Sequence, residues 1–510
     1  MPASDPVVET CEGKLRGVTL GQCHAFLGIR YAKAERFEAP ASADPWSGIE
    51  DATQFGPIAL QSNPDRGAPG YGIILERLAP PPGTMQPPAP VESEDCQLLN
   101  VWTANLSPDV PRPVMVWLHP GFFMLGSGAS GNGAALAARG DVVVVSLNHR
   151  LNLFGYCHLD DVADGFRHSG NAGQLDIVAA LEWVRRNIHA FGGDPARVMV
   201  FGASGGGMKT AWLMASPAGN HLLHRAGAQS GPCLRLMERD DASEITSQLL
   251  GELGLKAGEA NTLRTIPADE LLVAYHRLRL RNPAQRFTHL TSFAPVIDPD
   301  LLPHHPFASD AAPLTRDIPM LLGWNREDMS FFAGNDMDVL DLPDSELMSR
   351  LRPLAGDRSE AIAAAYRTAY PDATAAKLYL RAFSDWSIGA AVLLQADRKR
   401  ALGGAPSYVY RFDHPSPALD GRLGAIHSSE TSYVFKQPGP FVDNAAEAQS
   451  LGQRMRDAWV HFAATGDPNP PGSRLPAWRP FGDQQEVMTL GKSPAMAANP
   501  IPDAANWATP

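Results

Sequence analysis

The chain of 510 residues reads as an α/β protein built on a large, mostly parallel central sheet with helices on both faces. Short runs that are almost wholly apolar recur at 114–118 (VMVWL), 142–147 and 197–201 (RVMVF), as expected of strands buried on both sides. Stretches of helical spacing lie between and after them. That alternation of strand and helix calls for crossover connections, and therefore parallel pairing.

Taken in chain order, residues 61–90 come first as a segment rich in Pro and Gly (QSNPDRGAPGYG, then APPPGTMQPPAP). Pro breaks both helix and sheet pairing, so this is expected to be a long surface loop. After the strands at 114–118 and 142–147, residues 174–187 carry Leu175, Val178, Ala179, Leu181, Trp183 and Val184 at roughly helical intervals. The strand at 197–201 ends in a Gly-rich turn. Later strands of the same sheet are expected at 318–322 and 407–412, with a mainly helical insertion at 343–403 (SELMSRLRPLAG, EAIAAAYRTAY, AAVLLQADRKRAL) between them. No internal repeat divides the chain, and residues 1–510 are expected to form one domain, since large α/β sheets often exceed the usual ~150-residue unit.

A hydrophobic content of 44% is ample for a large core, and the formal net charge of −12 offers no footprint for nucleic acid or an anionic membrane. Five cysteines (Cys11, Cys23, Cys96, Cys157, Cys233) are widely spaced and fit neither a disulfide framework nor a metal-binding pattern. The first residues, MPASDPVVETCEGKLRG, lack a basic start followed by an apolar stretch, and the longest apolar runs are strand-length. A soluble cytoplasmic protein is expected, with its oligomeric state open.

The sharpest chemical signal is Gly202-Ala203-Ser204-Gly205-Gly206, directly after the strand ending at Phe201 and before a stretch able to start a helix. A tight strand–turn–helix connection strains the backbone of its central serine and exposes the hydroxyl, and small neighbours let the chain segments approach. A serine hydroxyl needs a base to become nucleophilic. In the α/β-hydrolase fold an acid and then a histidine follow the serine in the chain. Gly323-Trp324-Asn325-Arg326-Glu327-Asp328 follows a strand, which is a natural place for the acid, and His427 sits in a loop-like stretch, GAIHSSE. A negative oxygen formed at the substrate would need backbone donors. His119-Pro120-Gly121-Phe122-Phe123 follows the strand ending at Leu118; Pro120 has no N–H, so the donors are expected to be Gly121 and Phe122, joined by Gly205.

Together these residues resemble the type-B carboxylesterase family, which includes cholinesterases and bacterial nitrobenzyl-ester hydrolases. FLGIRYA from Phe26 with Arg36-Phe37, SEDCQLLNVW from Ser93, Asn187-Ile188 with FGGDP from Phe191, and FAATGDPN from Phe462 follow the family's signatures in order along nearly the whole chain. The resemblance implies a carboxylic ester hydrolase of the α/β-hydrolase fold acting on a small to medium ester, with no cofactor or metal. It implies Ser204, Asp328 and His427 as the triad, and Ser230 and Glu430 as polar support behind the histidine. It also implies Arg36–Glu94 and Arg150–Asp176 as buried ion pairs. An acyltransferase, or a non-hydrolytic biosynthetic enzyme using the same pocket, is the alternative.

The departures from the family pattern raise specific questions. The family's usual acid is Glu; Asp328 occupies that position, with Glu327 just before it as the other candidate. Ala203 replaces the Glu before the serine. Phe122 replaces the third glycine of the H-G-G-G-F loop, so its side chain is expected to crowd the reacting carbonyl and exclude esters of tertiary alcohols. Lys209 stands where the family has a small residue; an ion pair is expected for it, a catalytic amine being the other reading. Phe123, Phe331 and Phe332 are candidates for the substrate pocket, the last two equally for the core. Cys96 matches a family disulfide cysteine whose partner position is Ala59, which agrees with a reducing compartment.

Overall fold

In the computed structural model, residues 5–61, 90–107, 109–281, 293–333 and 337–502 are described. Most of the Pro/Gly-rich 61–90 segment lies outside them. Among the described residues, the central sheet has eleven strands. In chain order they are β1 (Val18–Leu20), β2 (Cys23–Arg30), β3 (Leu98–Thr103), β4 (Arg112–Leu118), β5 (Val143–Leu147) and β6 (Gly193–Ala203). There follow β7 (Arg225–Gln229), β8 (Met320–Asn325), β9 (Ser407–Phe412), β10 (Glu486–Leu490) and β11 (Ala495–Ala498). The spatial order is β11-β10-β9-β8-β7-β6-β4-β5-β3-β2-β1. From β10 through β5 every pairing is parallel, and the outer strands are antiparallel.

The near-continuous apolar runs are explained by what covers each face. Val114, Val116, Leu118, Val198 and Val200 point into one core, and Met115, Trp117, Met199 and Phe201 into the other. Strand side chains alternate, so a strand covered twice has no polar positions to spare. The first core is closed by α1 (Ala172–Asn187) and α2 (Gly205–Ala215). The second is closed by α7 (Ser429–Phe435) and the long α8 (Ala446–Thr465). Residues 343–403 contain α3 (Leu347–Ala355), α4 (Ser359–Ala369), α5 (Ala375–Ser384), a π turn (Asp385–Gly389) and α6 (Ala390–Ala401).

Two strands depart furthest from their expected bounds. The strand expected at 318–322 begins at Met320, after Pro319, and runs on to Asn325 because β9 continues to pair with it as far as Asn325↔Phe412. The strand expected at 197–201 starts at Gly193, with a register irregularity before Val198.

Near the N-terminal edge, Cys96, Ala59 and Leu151 form a small apolar cluster, and all five cysteines are free. Ala59 thus lies where a sulfur partner for Cys96 would stand. The chain on either side of residues 62–89 is joined by main-chain hydrogen bonds, Ile58 N to Val91 O and Ser93 N to Ile58 O, each 2.9 Å. Among the described residues, no helix is long and apolar enough to cross a membrane.

Candidate active site

β6 ends at Ala203 and α2 begins at Gly205, leaving Ser204 alone in the turn at φ 53°, ψ −125°. A non-glycine residue in this region is strained by ~1–3 kcal/mol and persists only where the surroundings enforce it. Here they do: Ser204 N donates to Gln229 O (2.7 Å), and Gly207 N donates to Ser204 O (2.9 Å). A Cβ on Gly202 would lie 2.5 Å from Leu118 O and 2.5 Å from the Gly206 carbonyl carbon, so the turn closes only with glycine there. Among the described residues, the Ser204 hydroxyl makes no hydrogen bond.

The adjacent carboxylates Glu327 and Asp328 face different ways. Asp328 Oδ1 meets His427 Nδ1 at 2.5 Å, and its Oδ2 accepts from Asn325 N at 2.8 Å. Glu327 instead accepts from Arg326 Nε (3.0 Å), Arg381 Nε (2.7 Å) and Ala425 N (2.8 Å). Burial pushes the Glu327 pKa up, but Arg326, Arg381 and Lys377 outweigh it and hold the carboxyl below its ordinary value. Of the two candidate acids, Asp328 is the one in contact with the imidazole. His427 Nε2 is buried with no partner among the described residues, and the Phe332 ring lies 4.9 Å from the imidazole.

Glu430 sits behind this pair. It accepts from Asn325 Nδ2 (2.6 Å) and Gln229 Nε2 (3.1 Å), and burial, then the Asp328 charge, raises its pKa to about 6. Asn325 also donates to Ile426 O (2.5 Å), so one amide ties the acid strand to both ends of the histidine turn. The Ser230 N–H donates to Gly323 O at 2.8 Å, while its hydroxyl finds no partner among the described residues. Asn325 and Gln229 were not singled out from sequence. An Asn at a strand end and a Gln in a short apolar run carry no spacing signal.

The 119–125 loop lies over the start of α2. A Cβ on Gly205 would fall 2.5 Å from Phe122 N, so these two backbones touch. Phe122 has φ 53°, and the N–H groups of Gly121, Phe122 and Gly205 have no acceptor among the described residues. The Phe123 ring, expected at the pocket, is turned into the core at 2% exposure, edge-on to Tyr156 at 5.2 Å. Phe332 is likewise buried, and Phe331 packs partly against the same core. The ion pair expected for Lys209 does not form. The lysine is fully buried, donates to His119 O at 3.2 Å and meets no carboxylate among the described residues, and burial lowers its pKa to about 7. Arg150–Asp176 (2.6 Å) forms as the buried ion pair expected, whereas Arg36–Glu94 forms but is only partly buried.

The sequence model of the carboxylesterase family matches residues 4–505. The chain belongs to the carboxylesterase family. It is a serine-type carboxylic ester hydrolase with the α/β-hydrolase fold. This carboxylesterase is 34% identical to the para-nitrobenzyl esterase of Bacillus subtilis over 92% of each chain. It is 30% identical to carboxylesterase 1C of Rattus norvegicus, over 97% of this chain and 91% of that one. Among solved structures, a Geobacillus stearothermophilus carboxylesterase superposes with a TM-score of 0.80 at 33% identity, covering 98% of this chain and all of that one.

Proposed function

We propose that this carboxylesterase hydrolyses small to medium esters through Ser204 as nucleophile, His427 as base and Asp328 as the acid that orients it. The observation that carries the reading is the 2.5 Å contact between His427 Nδ1 and Asp328, which leaves Nε2 buried and without a partner among the described residues in the same protein that strains Ser204 into the turn. His427 takes the Ser204 proton as the hydroxyl attacks the ester carbonyl; Asp328 stabilises the imidazolium. The Gly121, Phe122 and Gly205 N–H groups receive the negative oxygen. The alcohol leaves with the proton from His427, and water then releases the acid from Ser204. Without substrate the nucleophile–base hydrogen bond is commonly open and closes in the Michaelis complex.

The same reading makes the chain one hydrolase domain working in the reducing cytoplasm. The five free cysteines support it, as does Ala59 beside Cys96. A small-molecule ester is its partner. Phe331 and Phe332 are proposed to border the acyl pocket, Phe332 through its contact with His427.

A fluorophosphonate label followed by peptide mapping tests the nucleophile. Label on Ser204, abolished in Ser204→Ala together with a fall in kcat of about a million-fold, is the expected result. Label on a different serine would sink the assignment. Product analysis with a competing alcohol separates hydrolysis from acyl transfer, free acid being the expected product.

A further inference from the structure

The loop at 119–125 rests on Lys209 at two points. Lys209 Nζ donates to the carbonyl of His119, two residues before Gly121, and lies 5.8 Å from the centre of the Phe123 ring, one residue after Phe122. The amine therefore brackets the two loop residues proposed to bind the oxyanion.

Two imidazoles share its surroundings. The rings of His119 and His149 stack 5.0 Å apart with 13° between planes. Nδ1 of each meets the carbonyl oxygen of the next residue, Pro120 or Arg150, at 2.8 Å. A carbonyl only accepts, so Nδ1 carries the proton and each Nε2 presents a lone pair. Both Nε2 atoms are buried and without a partner among the described residues. Burial, then the charge of Lys209, holds both histidines well below their ordinary pKa, so they remain neutral.

The other polar groups here are Tyr156, whose hydroxyl is 3.5 Å from His149 Nδ1, and Arg150, neutralised by Asp176. Among the described residues, Lys209 Nζ thus meets a carbonyl and the face of one aromatic ring, with no carboxylate beside it. These groups solvate an ammonium but do not cancel its charge.

We propose that Lys209 is a positioning residue for the oxyanion site, its ammonium bracing the Gly121–Phe122 turn from the core side and setting an uncancelled positive charge behind the N–H groups that receive the developing negative oxygen. This rests on the Ser204 acyl-transfer reading. A fixed charge in a dry interior acts more strongly on the transition state than on the neutral ester, so it raises kcat with little effect on KM.

Two consequences distinguish this role from a structural one. Burial lowers the Lys209 pKa to about 7, so the charge is present below that pH and is lost as pH rises through it. In the free enzyme kcat/KM gains a descending limb there. Stability has the reverse dependence. An unfolded lysine keeps its ordinary value of 10.5, so the folded protein binds fewer protons between about pH 7 and 10.5. Lys209 therefore costs stability at and below neutrality, and the cost diminishes at higher pH.

The experiment compares the full-length protein with Lys209→Met and Lys209→Gln, using p-nitrophenyl acetate, melting curves and fluorophosphonate labelling. The expected result for both variants is a fall in kcat of about 10- to 100-fold, a KM within threefold, loss of the descending limb, and a melting temperature at pH 7 equal to or above that of the unmodified chain. A kcat within twofold of the unmodified protein overturns the proposal. So does a loss of activity that comes with a lower melting temperature, which marks a structural role. Should neither variant fold, the unmodified protein decides alone, since a kcat/KM that stays flat from pH 7 to 9 also overturns it. Labelling keeps the two claims apart: with Ser204 labelled, a negative result removes only the role of Lys209, whereas label elsewhere removes the nucleophile and this role with it.

Discussion

Glu327, next to Asp328 in the chain, and Lys209, beneath the 119–125 loop, are both fully buried, yet they are surrounded in opposite ways. Glu327 meets two arginines and a backbone N–H, and its charge is cancelled where it stands. Lys209 meets a carbonyl and one aromatic ring, and no carboxylate among the described residues cancels its charge. The carboxylates on the histidine side are held in a closed web, Asp328 by Asn325 and His427, and Glu430 by Asn325 and Gln229. On the loop side, the Gly121, Phe122 and Gly205 N–H groups and the two imidazole Nε2 atoms have no acceptor or donor among the described residues. One half of the site is a frame that fixes an imidazole. The other half is polarised in advance for charge that arrives only during reaction.

The contrast breaks most sharply at the adjacent acids. Asp328→Asn is expected to lower kcat by about 10,000-fold in esterase assays, with the fold intact, because the amide favours the wrong imidazole tautomer. Glu327→Gln is expected to do the reverse: the arginines lose their counter-charge and stability falls by about 3–5 kcal/mol in urea unfolding, while kcat of the folded fraction stays within threefold. Equal kinetic losses in the two variants would erase the distinction.

Glu430 sharpens the comparison through pH. Its pKa rises from 4.5 unfolded to about 6 folded, so its favourable contribution is complete below about pH 4.5 and is lost as pH rises through about 6. At ~1.4 kcal/mol per pH unit the loss is about 2 kcal/mol, and Glu430→Gln should flatten that slope in unfolding measured from pH 4.5 to 6.5. The smallest effect is expected on the open side. Phe122 has a left-handed backbone that suits glycine, and its side chain is proposed to crowd the site of attack. Phe122→Gly should raise kcat/KM for a tert-butyl ester by about tenfold from a very low value; efficient turnover by the unmodified protein would refute the crowding.

Local features were readable and remote ones were not. The strained turn at Ser204 and the sheet around it follow from a strand, a cluster of small residues and a helix adjacent in sequence. The same holds for the loop after β4. Asn325 escaped notice because its partners Ile426 and Glu430 lie 101 and 105 residues away, and nothing in its neighbourhood announces them. The ion pair expected for Lys209 rested on the general rule that buried charge is paired, and a residue that breaks that rule cannot be recognised until its surroundings are seen. The end of β8 was misplaced for a related reason: Trp324 and Asn325 are held in the strand by β9, not by their own pattern.

The contact between Ala59 and Cys96 has a consequence for how variation can be accommodated. The residues flanking 62–89 are zipped together by peptide groups instead of sulfur, so this neck is indifferent to thiols and oxidants. Lengthening a loop costs only about 0.6 kcal/mol for each doubling once its ends are held. That neck is therefore a place where foreign sequence could be grafted at small thermodynamic expense, with the sheet and its chemistry left as they are.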